Sequence, residues 1–399
     1  MFDCCRVPGE GLDWSVSYAK SGDLGNSGHI IVLRKNRVWK VEVTQNGRLL
    51  TTQEIERQAF SPCDEMLCLT DHTRQIQHIY DNTLEEYPGV GVLTASNRDV
   101  WSKVCAIQLC SIYVHIQKRF FFQDYLTLRS NTHNSQILDE IHSSAFIICL
   151  DSSLPKDSIH HSRALWHGDV VAGIPVGLRN RWVDKPLQFI VFDNAYAGIM
   201  GEHSVMDGTP TARMCDDVLD MLYDPAFDHG TSSGESIPAP EPLDWEISPE
   251  ITQAISDADR AAIELVEGQE LGFHLTSYGK AAIKTFAVSP DSWAQMIIQL
   301  AYKRLLGNNK RNGATYEAAS TRKFYKGRTE TIRVVTSEAD AWVNSMNDDQ
   351  VNVETRKKLF DLATSQHISL AVKGGQAQGV DRHLFGQIFL SPILFQASL

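Results

Sequence analysis

The stretch Leu187-Gln188-Phe189-Ile190-Val191-Phe192-Asp193-Asn194-Ala195-Tyr196-Ala197-Gly198-Ile199-Met200-Gly201-Glu202-His203-Ser204-Val205-Met206-Asp207-Gly208 decides the fold class and points toward the chemistry. Leu187 to Phe192 reads as a buried strand and Tyr196 to Met200 as its partner, with Asp193-Asn194 at the turn. His203 then falls just past a strand end, where a scaffold can hold it rigidly. A base that takes a proton from a hydroxyl or thiol needs a near-neutral pKa and a fixed ring. The acid four residues on can fix the local structure, and the glycine after it lets the backbone turn tightly. A short pattern of this kind recurs by chance, and most of the chain's 14 histidines are expected to be structural or exposed.

Outward from this stretch, other strands and helices alternate. His29 to Arg34 and Val38 to Val43 read as two strands joined by the turn Lys35-Asn36-Arg37. Thr51 to Gln58 begins a helix, and Ile137 to His142 is a helix leading into the buried strand Ala145 to Leu150. Asp228 to Pro242 is rich in Gly, Ser, Pro and Glu and reads as a linker. It divides the chain into an N-terminal portion over 1–230, a linker over 231–243 and a C-terminal portion over 244–399. In the second portion, Ser289-Pro290-Asp291 opens a helix: serine is a good N-cap, proline suits the first helical position, and an acid there complements the dipole. Trp293, Met296, Ile297, Leu300, Ala301 and Leu305 follow at helical spacing as a core stripe, and Gly307 ends the helix. Val104 to Gln123, with Phe120-Phe121-Phe122, fits neither neighbouring pattern and reads as a buried element or an insertion.

The 399 residues are 43% hydrophobic and 22% charged, which suffices for one large or two medium domains. A net charge of −12, from 37 basic and 49 acidic residues, argues against a general polyanion-binding surface. Eight cysteines without a C-x-x-C pair suggest neither a disulfide scaffold nor a zinc site, and point to reduced thiols in an intracellular protein. No apolar run reaches the length of a membrane span, and Met1-Phe2-Asp3-Cys4-Cys5 does not read as a signal peptide.

Three further segments carry chemistry. In Tyr278-Gly279-Lys280-Ala281-Ala282-Ile283-Lys284, two lysines four apart point the same way just before a helix N-terminus, a good phosphate site; a solvated lysine face is the bland alternative. Thr315 to Arg322, followed by Gly327-Arg328-Thr329-Glu330-Thr331-Ile332-Arg333, is dense in hydroxyls and arginines that suit a carboxylate, unless it is a helix with paired surface charges. In Gln378-Gly379-Val380-Asp381-Arg382-His383-Leu384, a buried arginine would need an acid, and Asp207 is a candidate.

Together and in this order, these segments resemble the choline/carnitine acyltransferase family. The resemblance runs from Cys4-Cys5-Arg6-Val7-Pro8-Gly9 through Arg382-His383-Leu384, and includes Leu165-Trp166-His167-Gly168 and Asn180-Arg181-Trp182-Val183-Asp184-Lys185-Pro186-Leu187-Gln188. It implies an α/β fold of two domains, like that of CoA-dependent acyltransferases, with mixed sheets, flanking helices and only part of the family's length. It implies reversible transfer of a short acyl group, acetyl, between coenzyme A and the hydroxyl of carnitine. On that resemblance His203 is the general base, supported by Asp207 and Arg382. Lys280 and Lys284, with Thr285, Phe286, Ala287, Val288, Ser289, Pro290 and Asp291, match the coenzyme A segment. Tyr316, Thr329 and Arg382 match positions that hold carnitine's carboxylate, which choline lacks. No metal and no permanently bound cofactor is implied: acyl-CoA and carnitine are substrates of a monomer in the mitochondrion, peroxisome or cytoplasm.

The expected departures are three: nothing matching the family's start before Cys4, an interruption over Val104 to Gln123, and an end to the match after Leu384-Phe385-Gly386. The family's Ser-Thr-Ser motif, which helps bind carnitine and stabilise the oxyanion, is expected beyond that point, so low turnover is expected. A CoA acyltransferase with another hydroxyl acceptor, or an impaired fragment, is the alternative.

Overall fold

A computed structural model describes residues 4–8, 13–18, 28–57, 74–101, 124–231, 238–307 and 315–387. The chain divides into two compact units, Met1–Phe273 and His274–Leu399. Val104 to Gln123, and with it Cys105 and Cys110, lies outside the described residues, as do Cys63 and Cys68.

A mixed six-stranded sheet organises the first unit. The strands are β1 (His29–Arg34), β2 (Arg37–Glu42), β3 (Ile147–Asp151), β4 (Leu187–Phe192), β5 (Ala197–Gly201) and β6 (Glu241–Leu243), in the spatial order β5-β4-β3-β1-β2-β6. β3 runs parallel to β1 and β4, and the outer pairs are antiparallel. The expected hairpin of β1 and β2 turns through Lys35 and Asn36 at φ 48° and 68°, the left-handed pair that matches strand twist. Alternation sorts the side chains. Ile31, Leu33, Ile147, Cys149 and Ile190 join a core with Ile137, Leu138 and Ile141 of helix α1 (Thr132–Ser143). Ile30, Val32, Trp39 and Val41 face the other way and pack with Ile79 and Leu150. Burial on both faces explains why these strands read as continuous apolar runs. Helix α2 (Ser158–Trp166) follows β3, and helix α3 (Gly208–Tyr223) follows the His203 segment. Helix α4 (Pro249–Glu267), capped by Ser248, lays Ile251, Ile255, Ala258, Ala262 and Val266 on the first core at helical spacing.

The proline-rich segment expected as a linker takes part in this unit. Glu241–Leu243 is an edge strand with Pro242 opposite Trp39, and an edge strand tolerates the missing N–H. The chain divides at Phe273/His274, C-terminal to the expected 231–243.

The second unit contains α5 (Lys280–Thr285), α6 (Pro290–Leu306), the hairpin β7 (Glu317–Ser320) and β8 (Thr329–Ile332), α7 (Ser337–Met346) and α8 (Val353–Gly375). Helix α6 starts as expected: Ser289 Oγ accepts the Ser292 N–H at 3.4 Å, and Pro290 is first in the helix. Gly307, at φ 85°, ends it. Only part of the expected core stripe is core. Met296 and Leu300 pack with Ala319, Ile332, Val334, Trp342, Val343 and Ala363, whereas Ile297, Ala301 and Leu305 are exposed, because the described neighbours of α6 cover one face of it. The hydroxyl- and arginine-rich segment is a hairpin and not a charged helix, with Ser320 opposite Thr329.

Candidate functional site

In the first unit, the ladder between β4 and β5 closes where the Glu202 N–H donates to the Pro186 carbonyl at 3.1 Å. The Glu202 carboxylate is nearly buried and accepts from Arg6 Nη1 at 3.2 Å, the Ser204 N–H at 2.9 Å and the Ser204 hydroxyl. Arg6 Nε also donates to Asp13 at 2.7 Å, and Asp13 accepts Arg98 Nε at 2.8 Å. Arg98 Nη1 donates to Asp184 at 2.6 Å, and Trp101 Nε1 donates to the same carboxylate at 2.7 Å. Burial still pushes the Asp184 carboxyl up to about 6 against these donors, so desolvation outweighs the ion pair. Both neighbours of His203 are therefore tied through alternating charges to the core.

The His203 side chain is 79% exposed, with Nδ1 3.3 Å from Asp207 Oδ1. Asp207 is the N-cap residue of α3, where the helix N-terminus favours a carboxylate. The arrangement is an imidazole with one nitrogen directed to an acid, the pairing that a proton-transferring histidine uses to fix its ring.

In the second unit, Lys280 and Lys284 both lie on α5 and both are exposed. The chain then turns through Ala287 at φ 57°, a left-handed conformation that alanine adopts at a cost. Phe286 stacks on Trp293 with ring centroids 6.1 Å apart. Thr285 ends α5, and Phe286, Ala287, Val288 and Ser289 form the turn into α6, whose first residues are Pro290 and Asp291. A cleft of about 450 Å³ beside this segment is lined in part by Ser289, Asp291, Lys323 and His367.

Tyr316, Thr329 and Arg382 come together although 66 residues of sequence separate the first and last. Arg382 Nη2 donates to the Tyr316 hydroxyl at 2.9 Å, and Nε donates to the Thr329 carbonyl at 3.1 Å. The Arg382 segment docks because Glu330, a buried carboxylate on β8, accepts the Arg382 N–H at 3.3 Å. Gly379 allows this approach, since a Cβ there would stand 2.5 Å from the Glu330 side chain. Asp381 accepts from Arg333 Nε at 2.9 Å and from the Thr331 hydroxyl at 3.1 Å, and the Arg333 hydrogen bond holds its carboxyl below the usual range.

Sequence reading missed Glu317, Lys323, Glu330, Asp381 and His367 as parts of these sites. His367, buried on α8, hydrogen-bonds Ser292 Oγ through Nδ1 and the Glu317 carboxylate through Nε2, both at 2.8 Å. Asp291, Glu317 and His367 offer ligand atoms within 4.8 Å of one another, but both histidine nitrogens are already engaged in the hydrogen-bond network. Burial, then the neighbouring Glu317 charge, pushes the Asp291 carboxyl up, and His367 opposes this. The mid-helix position of His367 gives no local signal for this role.

The family model for choline/carnitine O-acyltransferase matches residues 1–111 and 117–392. The match therefore includes most of the 104–123 segment expected to interrupt it, and it continues past Gly386. The chain is 31% identical to the liver isoform of carnitine O-palmitoyltransferase 1 of Homo sapiens, over 96% of this chain and 45% of that protein. It is 30% identical to the peroxisomal carnitine O-octanoyltransferase of Bos taurus, over 97% of this chain and 57% of that protein. It is also 30% identical to the mitochondrial carnitine O-acetyltransferase of Saccharomyces cerevisiae, over 97% of this chain and 52% of that protein. The chain thus spans about half the length of the curated relatives it matches.

Proposed function

The chain belongs to the choline/carnitine O-acyltransferase family, and on that premise we propose that it serves transfer of an acyl group between coenzyme A and the hydroxyl of carnitine. In the forward direction His203 takes the proton of the carnitine hydroxyl as that oxygen attacks the thioester carbonyl. The new C–O bond forms, the C–S bond breaks, and the proton passes from His203 to the departing CoA sulfur. Asp207, 3.3 Å from Nδ1, orients the ring. Lys280 and Lys284 hold phosphate groups of coenzyme A, with 285–291 alongside the cofactor. Tyr316, Thr329 and Arg382 hold the carboxylate of carnitine.

The observation that carries this reading is the Arg382–Tyr316 hydrogen bond of 2.9 Å beside Thr329. It supports the reading because three residues distant in sequence lie together, and an arginine beside hydroxyls suits a carboxylate. The acyl group is proposed to be acetyl, although relatives named for octanoyl and palmitoyl transfer match equally well. The test is thiol release from acetyl-, octanoyl- and palmitoyl-CoA with carnitine or choline as acceptor. Carnitine is expected to be preferred over choline and acetyl-CoA over the longer donors. Arg382→Gln is expected to raise the carnitine KM about ten- to a hundredfold, as loss of a charge-assisted bond does. Choline used as well as carnitine by the parent would overturn the acceptor, and faster palmitoyl transfer would overturn the acyl length.

A further inference from the structure

We propose that His367 is a positioning residue that ties the coenzyme A segment to the carnitine hairpin within the second unit. The proposal rests on the assignment of those two segments made above. Ser292 lies in the first turn of α6, directly after the segment that ends at Asp291, and its hydroxyl meets His367 Nδ1 at 2.8 Å. Glu317 directly follows Tyr316 at the start of β7, and its carboxylate meets Nε2 at 2.8 Å. One imidazole, fixed in the interior on the long helix α8, therefore contacts both segments at once. Its ring is rigid, so the distance between the two segments is set by the separation of its two nitrogens. A buried side chain bonded on both sides has little freedom to vary that distance.

Lys323 lines the same cleft as Ser289, Asp291 and His367, so the buried imidazole borders that cleft. The groups facing the imidazole come from three elements: Ser292 and Asp291 from α6, Glu317 from β7, and the cleft residue Lys323 from the β7–β8 turn.

Asparagine and glutamine separate the two contacts. His367→Asn places an amide near the Nδ1 position and keeps the Ser292 bond while losing Glu317. His367→Gln reaches the Nε2 position and keeps Glu317 while losing Ser292. We expect calorimetric titration to show weaker coenzyme A binding for His367→Gln, about three- to tenfold, with the carnitine Kd unchanged. For His367→Asn the carnitine Kd rises by a similar factor and the coenzyme A Kd holds. His367→Phe raises both. Thermal melts of the same preparations separate this pattern from general loosening, which would move both Kd values together in every variant. Equal shifts in both ligands across the variants, or no shift in folded protein, overturns the positioning role. A parent that binds neither ligand overturns the functional reading and this inference with it.

Discussion

Two polar regions carry sequence typical of the family, and they differ in what surrounds them. The Asn180–Gln188 segment of the first unit is almost entirely inside. Arg181 makes a bidentate pair with Asp151 at 2.8 and 2.7 Å, and both residues are buried. Asn180 Nδ2 donates to Asp151 at 2.9 Å, Lys185 Nζ donates to the His142 carbonyl at 2.8 Å, and the Trp182 N–H donates to Gln188 at 2.8 Å. The group around Tyr316, Thr329 and Arg382 in the second unit is open. Tyr316 is 55% exposed, and Arg382 holds it through single bonds and not a bidentate pair. A distinctive motif can thus mark either a fold constraint or a chemical site. Burial with the charged groups paired marks the first, even though Trp182 Nε1 and Gln188 Nε2 lack a partner among the described residues, and exposed donors gathered from distant sequence fit the second.

The buried network of the first unit depends most on Asp151, which accepts from both Asn180 and Arg181. Asp151→Ala leaves a buried guanidinium without its carboxylate and should cost about 3–5 kcal/mol of stability. A urea midpoint that scarcely moves would mean the buried network is not holding the first unit.

A smaller effect is expected from pH. Burial, aided by the Lys185 and Arg129 charges, pushes the His142 imidazole down from 6.5 to about 3. The unfolded chain then takes up a proton near 6.5 that the fold refuses until about 3, so this contribution to stability is full above 6.5 and is lost as pH falls toward 3. His142→Gln removes one such proton and should flatten the dependence of unfolding free energy on pH by roughly 1.4 kcal/mol per unit inside that window. Parallel curves for parent and variant would show that His142 is not held neutral by the fold.

Much of the scaffold was legible because its signals are local. Apolar strand runs, the Lys35-Asn36 turn and the Ser289-Pro290 start each need only a few neighbouring residues, and each appears as expected. The proline-rich segment misled because composition cannot tell a linker from an edge strand, and Pro242 suits either. The α6 stripe misled because helical spacing reports a face but not what covers it, and Ile297 and Leu305 remain exposed. Expected site residues came from motifs, whereas their supports did not. His367, Asp381 and Glu330 act through contacts that only the tertiary fold brings about.

If the exposed residues perform the chemistry while the buried ones hold the fold, His203→Ala separates activity from stability. Carnitine-dependent thiol release from acetyl-CoA and the melting temperature are to be measured on one preparation of parent and variant. Release is expected to fall about 10²–10⁴-fold, as on loss of a general base, with the melting temperature unchanged. Release equal to that of the parent would contradict His203 as that base.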